Sequence, residues 1–61
     1  MNNRYRYRAM THMGHCTEFE IEERSESIAS VEAKIHVERW LAGNRTPLAS
    51  LVSFDLLSVT P

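Results

Sequence analysis

Arg4-Tyr5-Arg6-Tyr7-Arg8-Ala9 and, after a gap, Glu18-Phe19-Glu20-Ile21-Glu22 both alternate a charged residue with an aromatic or aliphatic one. A period of two marks a strand with one wet and one dry face. The first run is basic, the second acidic, and Gly14 stands between them. The two therefore read as a β-hairpin of oppositely charged strands over residues 3–11 and 16–23.

The register follows from the same residues. Facing side chains share a side of the sheet, so Tyr5 and Tyr7 belong beside Phe19 and Ile21. A three-residue loop, His12-Met13-Gly14, closed by Thr11 opposite His15, meets that condition. It puts Gly14 at the loop position that needs a left-handed residue. Arg8 then stands opposite Glu18, Arg6 opposite Glu20 and Arg4 opposite Glu22, while Tyr7 faces Phe19 and Tyr5 faces Ile21. A two-residue Met13-Gly14 loop would set arginines against apolar residues and is rejected. Each exposed cross-strand ion pair is worth about 0.2–1 kcal/mol. The larger expected effect is on pairing specificity, because a slipped register would bury charge.

A helix is expected over residues 26–42. Ser25-Glu26-Ser27 offers N-cap candidates with an acid in the first turn, and Gly43-Asn44 offers a stop. At 100° per residue the apolar positions form two stripes. Ile28, Val31, Ile35 and Ala42 make one; Ala29, Ala33, Val37, Trp40 and Leu41 make the other. Glu32, His36 and Arg39 separate them on one side, Lys34 and Glu38 on the other. A three-stranded sheet covers only one broad side of one helix. Either the core face is wide, with Trp40 at its rim, or one stripe packs on the sheet while the other meets a second protein.

Thr46 as N-cap and Pro47 at the first helical position would start one short helical turn. Residues 51–59 then read as a strand whose alternation breaks near Asp55-Leu56. Either a bulge there returns Leu57 and Val59 to the face of Val52 and Phe54, or both faces of the strand are covered, which again points to a partner. With a helix between strands two and three, the economical sheet order is 2-1-3. The expected fold is α+β, a single ββαβ domain spanning residues 1–61, with a three-stranded antiparallel sheet and one helix on one face.

Composition narrows the function classes. The chain has 61 residues, seven basic and eight acidic side chains, a formal charge of −1 and one cysteine, Cys16. The near-balance gives no global pull on nucleic acid. A single cysteine allows no internal disulfide, which favours a reducing compartment. No segment is long and apolar enough for a membrane span or the core of a signal peptide, so a cytoplasmic setting is expected. His12, His15 and Cys16 gather at the hairpin loop, with His36 able to approach from the helix. Their spacing matches no zinc-finger or ribbon pattern and no fourth ligand is evident, so neither metal nor cofactor is expected. No nucleophile has a base at telling spacing and no glycine loop is built for phosphate, so an enzyme is not expected.

Tyr5-Arg6-Tyr7-Arg8-Ala9, Gly14, Glu22, Ser25 and Ala29 together resemble the opening motif of the N-terminal cytoplasmic domain of type II secretion system protein F. That family similarly runs a Tyr-x-Tyr-x-Ala strand, a turn glycine, a second strand and a Ser-x-x-x-Ala helix start. Glu23 departs from the small residue usual before the serine. The ββαβ layout is also similar to small phage-encoded anti-CRISPR proteins, which cover a surface of a bacterial nucleoprotein complex. The second resemblance implies a module from a phage or mobile element that modulates a host complex.

The expected function is thus non-enzymatic protein–protein interaction, with a bacterial host complex or a second copy of the chain as partner. Trp40, Val37, Leu41, Ile28, Val31 and Ile35 are the expected interface residues, Trp40 as the anchor. The alternative is a small nucleic-acid-binding accessory protein that uses Arg4, Arg6 and Arg8.

Overall fold

A computed structural model describes all residues, Met1–Pro61. Strand β1 (Asn3–Thr11) and strand β2 (Cys16–Glu23) form the hairpin. Helix α1 (Glu26–Gly43) follows, then a short 3-10 turn (Leu48–Ser50) and strand β3 (Leu51–Thr60). The sheet is antiparallel in the order β2-β1-β3, and α1 packs on one face of it, as the sequence predicts.

The hairpin register is the expected one throughout. Arg4 pairs with Glu22, Tyr5 with Ile21, Arg6 with Glu20, Tyr7 with Phe19 and Arg8 with Glu18. The loop closes with the Thr11 N–H donating to the His15 carbonyl at 2.9 Å, and Gly14 has φ +87°. The Thr11 hydroxyl also accepts from the His15 N–H at 3.2 Å. His12 ties this end of the hairpin to the start of β3, its N–H donating to the Ser50 carbonyl at 3.0 Å.

Ser25 caps α1: it is extended, and its hydroxyl accepts from the Ile28 N–H. The helix stops at Gly43, but the left-handed residue that closes it is Arg45, with φ 53°. Arg45 and Thr46 donate backbone N–H groups to the carbonyls of Ala42 and Leu41. The Asn44 side-chain amide donates to the Trp40 carbonyl at 2.8 Å, which also accepts the Asn44 backbone N–H at 3.2 Å. The expected cap of the short turn shifts by one residue. Pro47 stays extended (φ −68°, ψ 147°) and holds the cap position, while the Thr46 hydroxyl donates to the Asn44 carbonyl instead.

β3 departs from the expected phase. Tyr7 pairs with Leu56 and Ala9 with Phe54, so Phe54 and Leu56 lie in step on the helix side. The register shifts lie on either side of that run and leave Leu57 and Val52 as extra, unpaired residues. Leu51 and Val59, opposite Thr11 and Tyr5, thus join Phe54 and Leu56 on the helix side. Leu57 and Val52, predicted to share that face, are exposed.

The core is built on β1, whose Tyr5, Tyr7, Ala9 and Thr11 are all buried. Above it lie Ala29, Ala33, Val37 and Leu41, four successive turns of α1. Small residues sit over large ones: Ala29 and Ala33 pack on Tyr5 and Tyr7, and the bulkier Val37 and Leu41 pack on Ala9. This alternation fills the layer between helix and sheet without forcing either element outward. An aromatic row crosses the sheet through Tyr7, which stacks on Phe19 at 5.8 Å and tilts against Phe54 at 5.7 Å between ring centroids.

Candidate functional site

Two solvent-facing surfaces carry the residues singled out in the sequence. One is the side of α1 turned away from the sheet. Because Ala29, Ala33, Val37 and Leu41 face the core, Ile28, Val31 and Ile35 fall on the opposite side of the helix. They are 44%, 60% and 45% exposed, against 3% or less for the core row. The sheet therefore takes the alanine-rich stripe and leaves the bulkier isoleucine–valine stripe in solvent. Val37 and Leu41 belong to the core and are not open to a partner. Trp40 is half-buried against the Ala9, Val37 and Leu41 cluster, its remaining face opening toward His15, Cys16 and Asn44.

The flanks of the outer stripe are charged. On the side bordering β2, Glu32, His36 and Arg39 line a shallow cleft with Ile21 and Ile35. His36 lies on the ring of Phe19 and so is committed to packing. Glu32 lies beside Glu23 at the end of β2. A hydrogen bond from one carboxyl to the other, together with partial desolvation and their mutual repulsion, raises the Glu32 pKa above its ordinary 4.5. Arg39 makes no ion pair within the chain; the salt bridges of the molecule both belong to Arg6. The Glu23–Glu32 contact has no counterpart in the sequence reading. The helical angle of Glu32 points it toward β2, but only the turn from strand to helix brings Glu23 there.

The second surface is the open face of the sheet, with Arg4, Arg6 and Arg8 in the middle. Of their three expected one-to-one ion pairs with the glutamates, only Arg6–Glu20 forms. Arg6 alone is engaged: its Nη2 lies 3.0 Å from Glu18 Oε1, and its Nη1 lies 3.6 Å from Glu20 Oε2. Strand twist brings the diagonal neighbour Glu18 within better reach of Arg6 than the directly opposite Glu20. Arg4 and Arg8 have no ion pair, and the buried Nε of Arg8 has no hydrogen-bond partner.

The hairpin-loop residues do not converge on a ligand. His12 Nδ1 lies 3.3 Å from the Ser50 carbonyl, Cys16 is exposed, and His36 is stacked on Phe19. No group of three or more His, Cys, Asp or Glu side chains comes together with metal-holding geometry. On the helix side of the sheet the Tyr7 hydroxyl is buried without a partner. Burial first, then the negative charge of Glu26 and the proximity of Tyr5, push its pKa above the ordinary 10.0. No helix is long and apolar enough to cross a membrane. Comparison of the chain with protein-family models, curated proteins and solved structures gives no match.

Proposed function

We propose that this chain is a non-enzymatic protein–protein interaction module that docks through the outer side of α1. The observation that carries this reading is the exposure of Ile28, Val31 and Ile35 directly opposite a complete core row. Solvent-facing helix positions cost nothing to make polar, and three branched aliphatics at helical spacing form a continuous apolar strip. A partner that covers the strip removes it from water at about 25 cal/mol per Å². Trp40, expected as the anchor, packs half-buried against Ala9, Val37 and Leu41 and is not part of this strip.

The test is affinity capture from host extract with the wild-type chain, with Ile35→Glu, and with Glu22→Gln as a surface control. Ile35 is outside the core, so the variant keeps its fold, checked by circular dichroism. Loss of a specific, stoichiometric partner in Ile35→Glu alone supports the reading; identical captured proteins for all three chains overturn it.

One observation favours nucleic-acid binding as a second reading: Arg4 and Arg8 are left without ion pairs on the open sheet face. Backbone neutralisation would make such binding fall steeply with added salt. A low-salt gel shift showing no complex with single- or double-stranded DNA or RNA closes this option.

A further inference from the structure

We propose that the outer edge of β2 is a strand-addition site, taking an extended segment of another protein in which basic and apolar residues alternate. The site is distinct from the outer side of α1 and does not rest on that reading.

β2 stands at one edge of the sheet, with β1 on its inner side. The Thr11 N–H donates to the His15 carbonyl, and bonded pairs recur at every second residue of an antiparallel hairpin. Thr17, Phe19 and Ile21, opposite Ala9, Tyr7 and Tyr5, therefore turn their N–H and C=O groups toward β1. Those of Glu18 and Glu20 point away from the sheet, open to another strand. β2 pairs with β1 without a register shift, so these groups keep a regular spacing. β3, at the opposite edge, is broken by two shifts.

The two side-chain rows of β2 define what fits beside it. Phe19 and Ile21 lie half-buried on the helix side, and Ile21 and Ile35 line the shallow cleft between β2 and α1. Glu18 and Glu20 lie on the open face and share one guanidinium, that of Arg6, so a carboxylate charge there stays uncompensated. An added strand turns one row of its residues toward the cleft and the other beside the glutamates. β1 meets the same rows from the inner side, with Tyr5 and Tyr7 against one and Arg6 and Arg8 against the other. The cleft carries Glu32 and Arg39, of opposite sign, with His36, so the preference for cations belongs to the open face alone.

A second copy of the chain does not meet these terms. Pairing β2 with β2 about a two-fold axis sets glutamate against glutamate when the faces match. When they do not, it moves glutamates into the apolar row. β3 of a second copy brings Asp55 as its sole charge, along with its interrupted spacing. The glutamates thus exclude the chain itself and select a basic partner by the same charge.

The probe is a fluorescein-labelled peptide of eight residues, the length of β2, alternating lysine with valine. Fluorescence anisotropy at low ionic strength should give a dissociation constant of about 100 µM, as expected of one short added strand. A peptide alternating glutamate with valine should bind about tenfold more weakly. Glu20→Lys should reverse the order of the two peptides. Val31→Glu, on the outer strip but outside the cleft, should leave both unchanged. Amide hydrogen exchange of the wild-type chain gives a readout that needs no variant. With about 1 mM lysine peptide present, the Glu18 and Glu20 amides should slow by about tenfold.

No binding of the lysine peptide at about 1 mM overturns the proposal, as does equal binding of the glutamate peptide. Binding that leaves the Glu18 and Glu20 amides exchanging freely overturns strand addition. Loss of binding in Val31→Glu places the peptide on α1 and overturns the edge site, whereas the α1 reading fails by its own capture test. Circular dichroism reports whether each variant keeps its fold.

Discussion

The imidazole of His36 lies against the ring of Phe19, with 4.0 Å between centroids and 26° between planes. Phe19 in turn stacks on Tyr7, and Tyr7 meets Phe54, so four rings form one row from helix to far strand. The row joins α1 to all three strands and makes His36 the outer clamp on β2. His36→Ala should lower stability by about 1 kcal/mol, the usual value of an aromatic pair beyond its area burial. Urea unfolding followed by circular dichroism measures it; an unchanged midpoint would show that the stack contributes nothing.

Tyr7 is 4% exposed, and its hydroxyl lacks a hydrogen-bond partner. A buried unsatisfied group carries a desolvation cost of about 1–3 kcal/mol. Tyr7→Phe keeps the ring contacts and removes that cost, so it should be neutral or stabilising by about 1 kcal/mol. The same site predicts an alkaline response. The folded chain holds the Tyr7 proton at pH values where the unfolded chain has released it. Stability therefore falls as pH rises past 10.0 toward the higher folded value, and Tyr7→Phe should remove that part of the loss. Thermal melts of both chains between pH 8 and 11 provide the comparison.

Arg45 closes α1 with φ 53°, a conformation that costs a residue bearing a Cβ about 1 kcal/mol. Its side chain makes no hydrogen bond or ion pair, so glycine loses little there. Arg45→Gly should stabilise the protein by about 0.5–1 kcal/mol, read from thermal and urea midpoints. A destabilised variant would show that the arginine has an energetic role its contacts do not reveal.

Glu32 retains its proton above the ordinary carboxylate value because Glu23 lies beside it. The folded state then binds more protons than the unfolded one as pH rises through 4.5 and toward the higher folded value. Stability contributed by the shared proton is present below that window and lost across it. Glu32→Gln keeps a hydrogen-bond donor at the site and removes the titration. Its stability should be flatter than wild type across that interval, measured by urea unfolding at pH steps in citrate and phosphate buffers.

The hairpin was legible because two independent constraints agree. Gly14 selects the loop, and alternation in Arg4–Ala9 and Glu18–Glu22 selects the parity; together they leave one register. The two helix stripes were equally visible, but not which one the sheet accepts. Hydrophobic bulk favours Ile28, Val31 and Ile35, yet Tyr5 and Tyr7 already occupy the space between the layers, and only Ala29 and Ala33 fit above them. That choice depends on complementary volumes across elements, which periodicity along one element does not encode. The ionic pattern was half legible for a related reason. Opposition across strands follows from register, but the concentration of both contacts on Arg6 follows from twist.

Val52 and Leu57 give β3 a property beyond their effect on phase. β3 is an edge strand of ten residues with Asp55 as its sole charged side chain, a composition that invites another strand to add alongside. Each unpaired residue interrupts the regular spacing of N–H and C=O groups along that edge, so no long uninterrupted template is offered for aggregation. The two irregularities guard an edge that carries almost no charge to guard itself.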